Sequence, residues 1–188
     1  LTNQGAYSNP IVPVYLFPRG DDFSKYQYYE RYDVDRNIQT QFWPLKENGL
    51  SMQNPYWITN RNMYTNKKDR FLTSASLKYT LTDWLNVSGR VKLDREAVNV
   101  EKKMYASTLN VISENSDKGS YVQTNRNTTQ IYADAMVNIN KYFYHDIWNL
   151  TASVGVSLLD LDYKELNFGG GLLTIPNLFT SNNVDVSI

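Results

Sequence analysis

The sequence predicts an all-β protein, an antiparallel meander of about four long strands in two hairpins. Three observations carry that expectation. Four stretches alternate apolar and polar residues, and a period of two marks a strand whose faces meet different surroundings. These stretches are joined by a short turn, a long connection and a second short turn. Proline crowds the first 60 residues and is absent from the alternating stretches, as befits a residue that removes a ladder donor.

Residues 1–65 read as one long loop. Pro10, Pro13, Pro18, Pro44 and Pro55 punctuate it, and "PRGDD" at 18–22 and "KENG" at 46–49 are turn chemistry. One short helix is expected at Ser24–Tyr32, where Ser24 and Gln27 have capping-box spacing. The first hairpin is expected over 66–105, with its turn at 82–84. Phe71, Thr73, Ala75, Leu77, Tyr79 and Leu81 share one face; Ser74, Ser76, Lys78 and Thr80 share the other, with Leu72 as the apolar exception. After "TDW", Leu85, Val87, Gly89, Val91 and Leu93 alternate with Asn86, Ser88, Arg90, Lys92 and Asp94.

The alternation fades after Val98, and 106–124 reads as a second long loop. The second hairpin is expected over 125–163 around an aromatic turn at 140–148. Its first strand sets Thr129, Ile131, Ala133, Ala135, Val137 and Ile139 against Gln130, Tyr132, Asp134, Met136, Asn138 and Asn140. Its second sets Leu150, Ala152, Val154, Val156 and Leu158 against Asn149, Thr151, Ser153, Gly155 and Ser157. At Leu158–Leu159 the phase slips, as a β-bulge or the end of a constrained zone would cause. Residues 164–188 read as a third loop, with Gly169–Gly171 a flexible run in it.

The bulk numbers narrow the function classes. Lys and Arg number 19 against 19 Asp and Glu, so the basic footprint of a nucleic-acid binder is missing. With no cysteine, disulfides and thiolate metal sites are excluded. The first residue is Leu, and no charged segment followed by an apolar run resembles a signal peptide. No apolar run approaches the roughly 20 residues a membrane helix requires. The expectation is an internal segment or a processed product of a longer protein.

Two solvents suit an apolar strand face: lipid or a second sheet. A tilted transmembrane strand needs about 10 residues, and outer-membrane barrels alternate short turns with long outer loops. Aromatics gather at the short turns: Trp84 at one, and Tyr142, Phe143, Tyr144 and Trp148 at the other. Such rings favour the headgroup level of a bilayer. On that reading Leu77, Tyr79, Val87, Val91, Ile131, Val137, Val154 and Val156 face lipid, while Lys78, Arg90, Lys92 and Asp134 face a wet lumen. Four strands cannot close, and open edges do not survive in hydrocarbon, so the chain is expected to be a slice of a larger barrel. The alternative is a secreted or cell-surface β-sandwich that binds carbohydrate through exposed aromatics.

"QNPYW" at 53–57, "DRFLTSASLKYTLTDWLNVSGRVKLD" at 69–94 and "GGGLLTIPNLFTSNN" at 169–183 together resemble the barrel region of the SusC/RagA family. These are TonB-linked outer-membrane transporters of Bacteroidetes. "YLFPRGDDF" at 15–23 is also of the family's type. The resemblance implies an outer-membrane location and uptake of oligosaccharides or peptides. Its implied partners are membrane lipid, a SusD-like lipoprotein over the barrel, and TonB acting through a plug domain. The TonB box, the plug and a closing strand are not in this sequence, which would supply wall and extracellular loops only.

No catalytic, cofactor or metal site is expected, and the chain does not read as an enzyme. His145 is the single histidine and sits beside Asp146 in a turn, so no zinc site can be built from histidines. "DVDRN" at 33–37 begins with calcium-loop spacing, but Ile38 stands where Gly is required and Pro44 where Glu is required. Asp160 and Asp162 share a strand face as ordinary solvated carboxylates, and the run at Gly169 lacks the Lys-Ser/Thr of a phosphate loop. Asn-x-Ser/Thr matches at Asn86, Asn127 and Asn149 fall in or beside strands. Trp43, Tyr56 and Trp57 in the first loop are candidate contacts for a ligand or partner, since flat rings offer large area at low entropy cost.

Overall fold

A computed structural model describes residues 8–44, 52–145 and 147–185. The fold is all-β and antiparallel. Two short strands, β1 (Glu30–Asp33) and β2 (Ile38–Gln41), pair with each other, and Glu30 stands opposite Gln41. Four long strands form a sheet in chain order: β3 (Asn62–Thr82), β4 (Leu85–Tyr105), β5 (Gly119–Phe143) and β6 (Trp148–Gly171). Two short helices, α1 (Ile11–Tyr15) and α2 (Pro55–Arg61), belong to the first third of the chain. Among the described residues no helix is long and apolar enough to cross a membrane, a statement that does not bear on strands.

The chain divides into two compact units. The first takes the described residues within Leu1–Asn66, Asn99–Thr124 and Asn167–Ile188; the second takes Lys67–Val98 and Asn125–Leu166.

Unit 1 holds a hydrophobic core. Phe17, Phe23, Tyr26 and Trp43 pack ring against ring at centroid distances of 5.0 to 6.2 Å. Tyr121, Leu172 and Val184 form a second cluster, flanked by Phe168 and Phe179. Asn54 ties several strands of loop together. Its backbone N–H donates to Gln41 Oε1 at 2.6 Å, and its side-chain amide donates to the Tyr26 and Phe42 carbonyls at 2.8 and 2.9 Å. Its side-chain oxygen accepts from Tyr56 N at 2.8 Å and so caps α2, where Pro55 takes the first helical position.

Several local expectations are corrected here. The residues expected as a helix at Ser24–Tyr32 instead form one 3₁₀ turn, Phe23–Gln27, and then enter β1. Its cap is Asp22, which accepts from Ser24 N, and not Ser24 itself. "DVDRN" is the turn between β1 and β2: Asp33 Oδ1 accepts from the Asp35 and Arg36 backbones, and Asn37 takes the left-handed conformation. Three of the long strands outrun their expected ends, since β3 begins at Asn62, β5 begins at Gly119 and β6 reaches Gly171, while β4 ends at Tyr105 as expected. The Gly169–Gly171 run is therefore the packed end of a strand. Gly169 has φ +148°, and a Cβ there would stand 2.4 Å from the Tyr121 carbonyl oxygen. The turn expected at 46–49 lies outside the described residues.

Unit 2 is hairpin sheet alone. The turns are Asp83–Trp84 between β3 and β4, and one that includes Tyr144, His145 and Ile147 between β5 and β6. The phase slip at Leu158–Leu159 involves no bulge. Asn138 bonds Ser153 and Arg126 bonds Glu165, so a step of 12 positions down β5 matches a step of 12 up β6. What changes at Leu158 is the character of the face and not the pairing.

Candidate functional site

The two faces of the unit 2 sheet are the features most able to act, and each follows from the alternation. One side carries the odd positions of β3, β4 and β5 and the even positions of β6. On it, Leu77 is 76% exposed and Val156 71%, and Tyr79, Val91, Ile131, Val137 and Val154 are exposed with them; Val87 is half-buried. Every buried hydrophobic residue described belongs to unit 1. The apolar face holds a shallow depression of about 530 Å³ whose floor includes the small residues Ala75, Gly89, Ala133 and Ala135.

That face is a belt with edges. It runs from Phe71 to Leu81 on β3, from Leu85 to Leu93 on β4, from Thr129 to Ile139 on β5 and from Leu150 to Leu158 on β6. One step past it on the same side stand Asp69, Arg95, Asn127 and Asp160. Nine to eleven residues at about 3.3 Å each give about 30–36 Å along the strand, which at the tilt of about 40° typical of transmembrane barrel strands would be a height near 25 Å. At the short-turn end, Trp148 is 70% exposed, and Tyr142, Phe143 and Tyr144 are exposed with it. There Lys141 Nζ lies 4.4 Å from the Trp84 ring centroid and 5.3 Å from that of Phe143. His145, also exposed, stacks edge-on against Tyr144; Asp146 beside it lies outside the described residues.

The opposite side is polar and laced with ion pairs between neighbouring strands. Arg70 Nε donates to Asp94 Oδ1 at 2.9 Å and Lys68 Nζ meets Glu96 at 2.7 Å. Arg90 Nε donates to Asp134 Oδ2 at 2.8 Å, and Arg126 Nε to Glu165 at 3.0 Å. Tyr163 also donates to Glu165. Asn138 joins Asn86 on one side and Ser153 on the other. Of the expected lumen-facing set, Arg90 and Asp134 are thus brought together. Lys78 and Lys92 make no hydrogen bond or ion pair among the described residues.

Leu72, Arg90, Lys92, Asp94, Gln130 and Tyr132 line a groove of about 440 Å³ on this polar face. Leu72, Gln130 and Tyr132 are absent from the sequence-based candidates. The alternation puts all three on this side; only the strand register, which sets β5 beside β4, reveals that they gather around Lys92.

The candidate aromatics of the first loop are a correction. Trp57 is 0% exposed and Trp43 3%, so neither offers a face to a ligand. Trp57 Nε1 donates to Thr108 Oγ1 at 3.0 Å, and Thr108 in turn donates to Asn62. Tyr56 is half-buried against Phe23. These rings build the unit 1 core because a domain this rich in loop must bury large side chains to offset the entropy of ordering its backbone.

Titratable groups in unit 1 are structural. Burial pushes the Lys102 ammonium below the usual lysine range, and Glu114, 3.8 Å away, opposes that shift. The Tyr26 hydroxyl, donating at 2.7 Å, holds the Asp21 carboxyl below its ordinary value. Arg61 grips Glu30 through two nitrogens at 2.8 and 2.9 Å. Among the described residues no cluster of three or more His, Cys, Asp or Glu side chains is placed to hold a metal ion. Asp160 is exposed, and Asp162 pairs with Lys164.

No family model matches the chain, and no curated protein matches it.

Proposed function

We propose that this chain forms part of the barrel wall and extracellular loops of a TonB-dependent outer-membrane transporter that imports glycans or peptides with a SusD-like lipoprotein. The observation that carries the reading is the apolar belt. It runs across all four strands, is largely exposed, ends in charged or polar residues, and at the tilt of a barrel strand would have the height of a bilayer's hydrocarbon zone. Monomeric soluble proteins rarely expose apolar patches beyond a few hundred Å², so a covering medium is required. The aromatic cluster at the short turns matches an interfacial girdle, and the ion-paired face suits a water-filled lumen. β3 and β6 lie at the sheet's edges, and in hydrocarbon both edges must pair with further strands. The long connections, with their packed core in unit 1, are the part that would meet substrate and lipoprotein.

The test is single-cysteine labelling of the intact protein in outer membranes, at Leu77, Lys78, Val137 and Asn138. A water-soluble maleimide should modify positions 78 and 138 and spare 77 and 137. Equal protection at all four would mean a sheet packed against protein, and the β-sandwich reading would replace this one.

A further inference from the structure

We propose that the groove around Lys92 is a binding site for a carboxylate-bearing sugar unit. The proposal deepens the transport reading, on which it rests only for the statement that the groove faces a translocation path. The groove itself belongs wholly to unit 2.

Asp94 has both carboxylate oxygens engaged by the Arg70 guanidinium. Asp134 is held by Arg90, whose guanidinium also lies 5.7 Å from the centre of the Tyr132 ring. Both acids near Lys92 are therefore neutralised, and both arginines are spent on them. Lys92 is left as a free ammonium at the groove wall, and the Gln130 carboxamide is likewise without a partner among the described residues. A free cation, a free donor–acceptor amide, a half-exposed phenol ring and the apolar Leu72 side chain then converge on about 440 Å³.

Each group has a counterpart in an acidic sugar. The ammonium is a point charge for the carboxylate. The carboxamide reads a pair of ring hydroxyls. The aromatic and aliphatic walls accept the C–H face of a pyranose. A neutral sugar would leave the ammonium unanswered, and a flexible acidic peptide would leave the ring face and the carboxamide poorly used. A groove this size holds one or two sugar rings.

The experiment is titration calorimetry on the intact protein purified in detergent. The probes are trigalacturonate, its neutral counterpart galactotriose, and triglutamate, each at 50 and 300 mM salt. Trigalacturonate should bind at least tenfold tighter than either of the others at low salt, with the advantage shrinking at high salt. Lys92→Met should remove most of that advantage and leave galactotriose binding unchanged. Gln130→Leu should weaken both sugars. Lys78→Met, which alters the other free lysine on the same face, should change nothing. Equal affinity for charged and neutral sugars, an unaffected Lys92→Met variant, or no binding of any probe would overturn the site. Equal loss in Lys78→Met would show diffuse attraction by the whole face, and tight triglutamate binding would show a carboxylate reader with no sugar selectivity; either overturns the proposal. Failure here with the maleimide pattern intact removes the site and leaves the transport reading; the reverse outcome removes the transport reading alone.

Discussion

Asn54→Ala is expected to loosen unit 1 more than any surface change of similar size. The wild-type side chain is fully buried and satisfies three backbone groups: the Tyr26 and Phe42 carbonyls and the Tyr56 N–H. Truncation orphans all three. Each buried group left unpaired costs about 1–3 kcal/mol, and loss of a helix cap alone costs about 1 kcal/mol. Taking the low end for each carbonyl and adding the cap gives about 3 kcal/mol, or roughly a hundredfold in a local opening equilibrium. The readout is hydrogen exchange at the Tyr56 and Ile58 amides, the latter bonded to the Asn54 carbonyl at 3.0 Å. Asn54→Asp discriminates the cause. It keeps the acceptor for Tyr56 but sets a carboxylate oxygen where an NH₂ donated, against two carbonyl oxygens. At neutral pH it should protect no better than alanine. The charged form is disfavoured in the fold, so the carboxyl's folded pKa lies above its unfolded one. The penalty is therefore full above the folded pKa and relieved as pH falls through it. Wild-type protection in Asn54→Asp at pH 7 would refute the reasoning, because the two carbonyls would then not depend on a donor.

Three further outcomes are expected. Gly119→Ala should cost roughly 3 kcal/mol or more in the protease resistance of unit 1, since Gly119 has φ +102° and a Cβ would stand 2.3 Å from the Met104 carbonyl oxygen; an unchanged cleavage rate would contradict that geometry. Lys102 has a folded pKa below its unfolded value, so the unfolded chain binds more protons between the two and stability should rise as pH climbs through that window; Lys102→Met should abolish the rise, and a rise that persists in this variant would assign it elsewhere. On the proposed lipid reading, Leu77→Arg should cost about 2–4 kcal/mol near the belt's centre while Lys78→Leu is tolerated; membrane-inserted yield reports the difference, and equal yields would argue against lipid on the Leu77 side.

The hairpins were legible because two solvents imprint two faces. From Phe71 to Leu93 and from Thr129 to Leu158 most strand residues report their side by polarity, Leu72 and Met136 being exceptions, and the Asp83–Trp84 turn falls within the 82–84 expected for it. The outer ends of β3, β5 and β6 were illegible for the same reason. Past Arg95 on β4 and before Asn127 on β5 the two faces no longer differ in kind, so the periodic signal dies while the backbone ladder continues. Leu158–Leu159 looked like a slip of register because Leu159, Leu161 and Tyr163 put apolar groups on the ion-paired side just as Asp160 and Asp162 put charges on the other. Unit 1 was hidden by distance. Trp57 finds its hydrogen-bond partner 51 positions away in Thr108, and nothing local to a proline-rich stretch announces that its tryptophans are core.

The mismatch between belt and strand supplies the strongest physical constraint on what surrounds unit 2. The long strands have 21, 21, 25 and 24 residues, so each runs about 70–80 Å. The apolar belt takes about half of β3 and less than half of β4, β5 and β6, and lies at the short-turn end of every strand. Packing against a second sheet gives no reason for the covered face to stop, within a few residues, on all four strands while every strand continues. A planar boundary between two media does, because the transfer cost of a charge changes sign of preference at that plane whichever strand carries it. Asp69, Arg95 and Asp160 come from three different strands and two different charge signs, yet all begin where the belt ends. Charge sign would matter to a protein partner, whereas a hydrocarbon edge is indifferent to it, and the mixture of signs along the belt's end favours the edge.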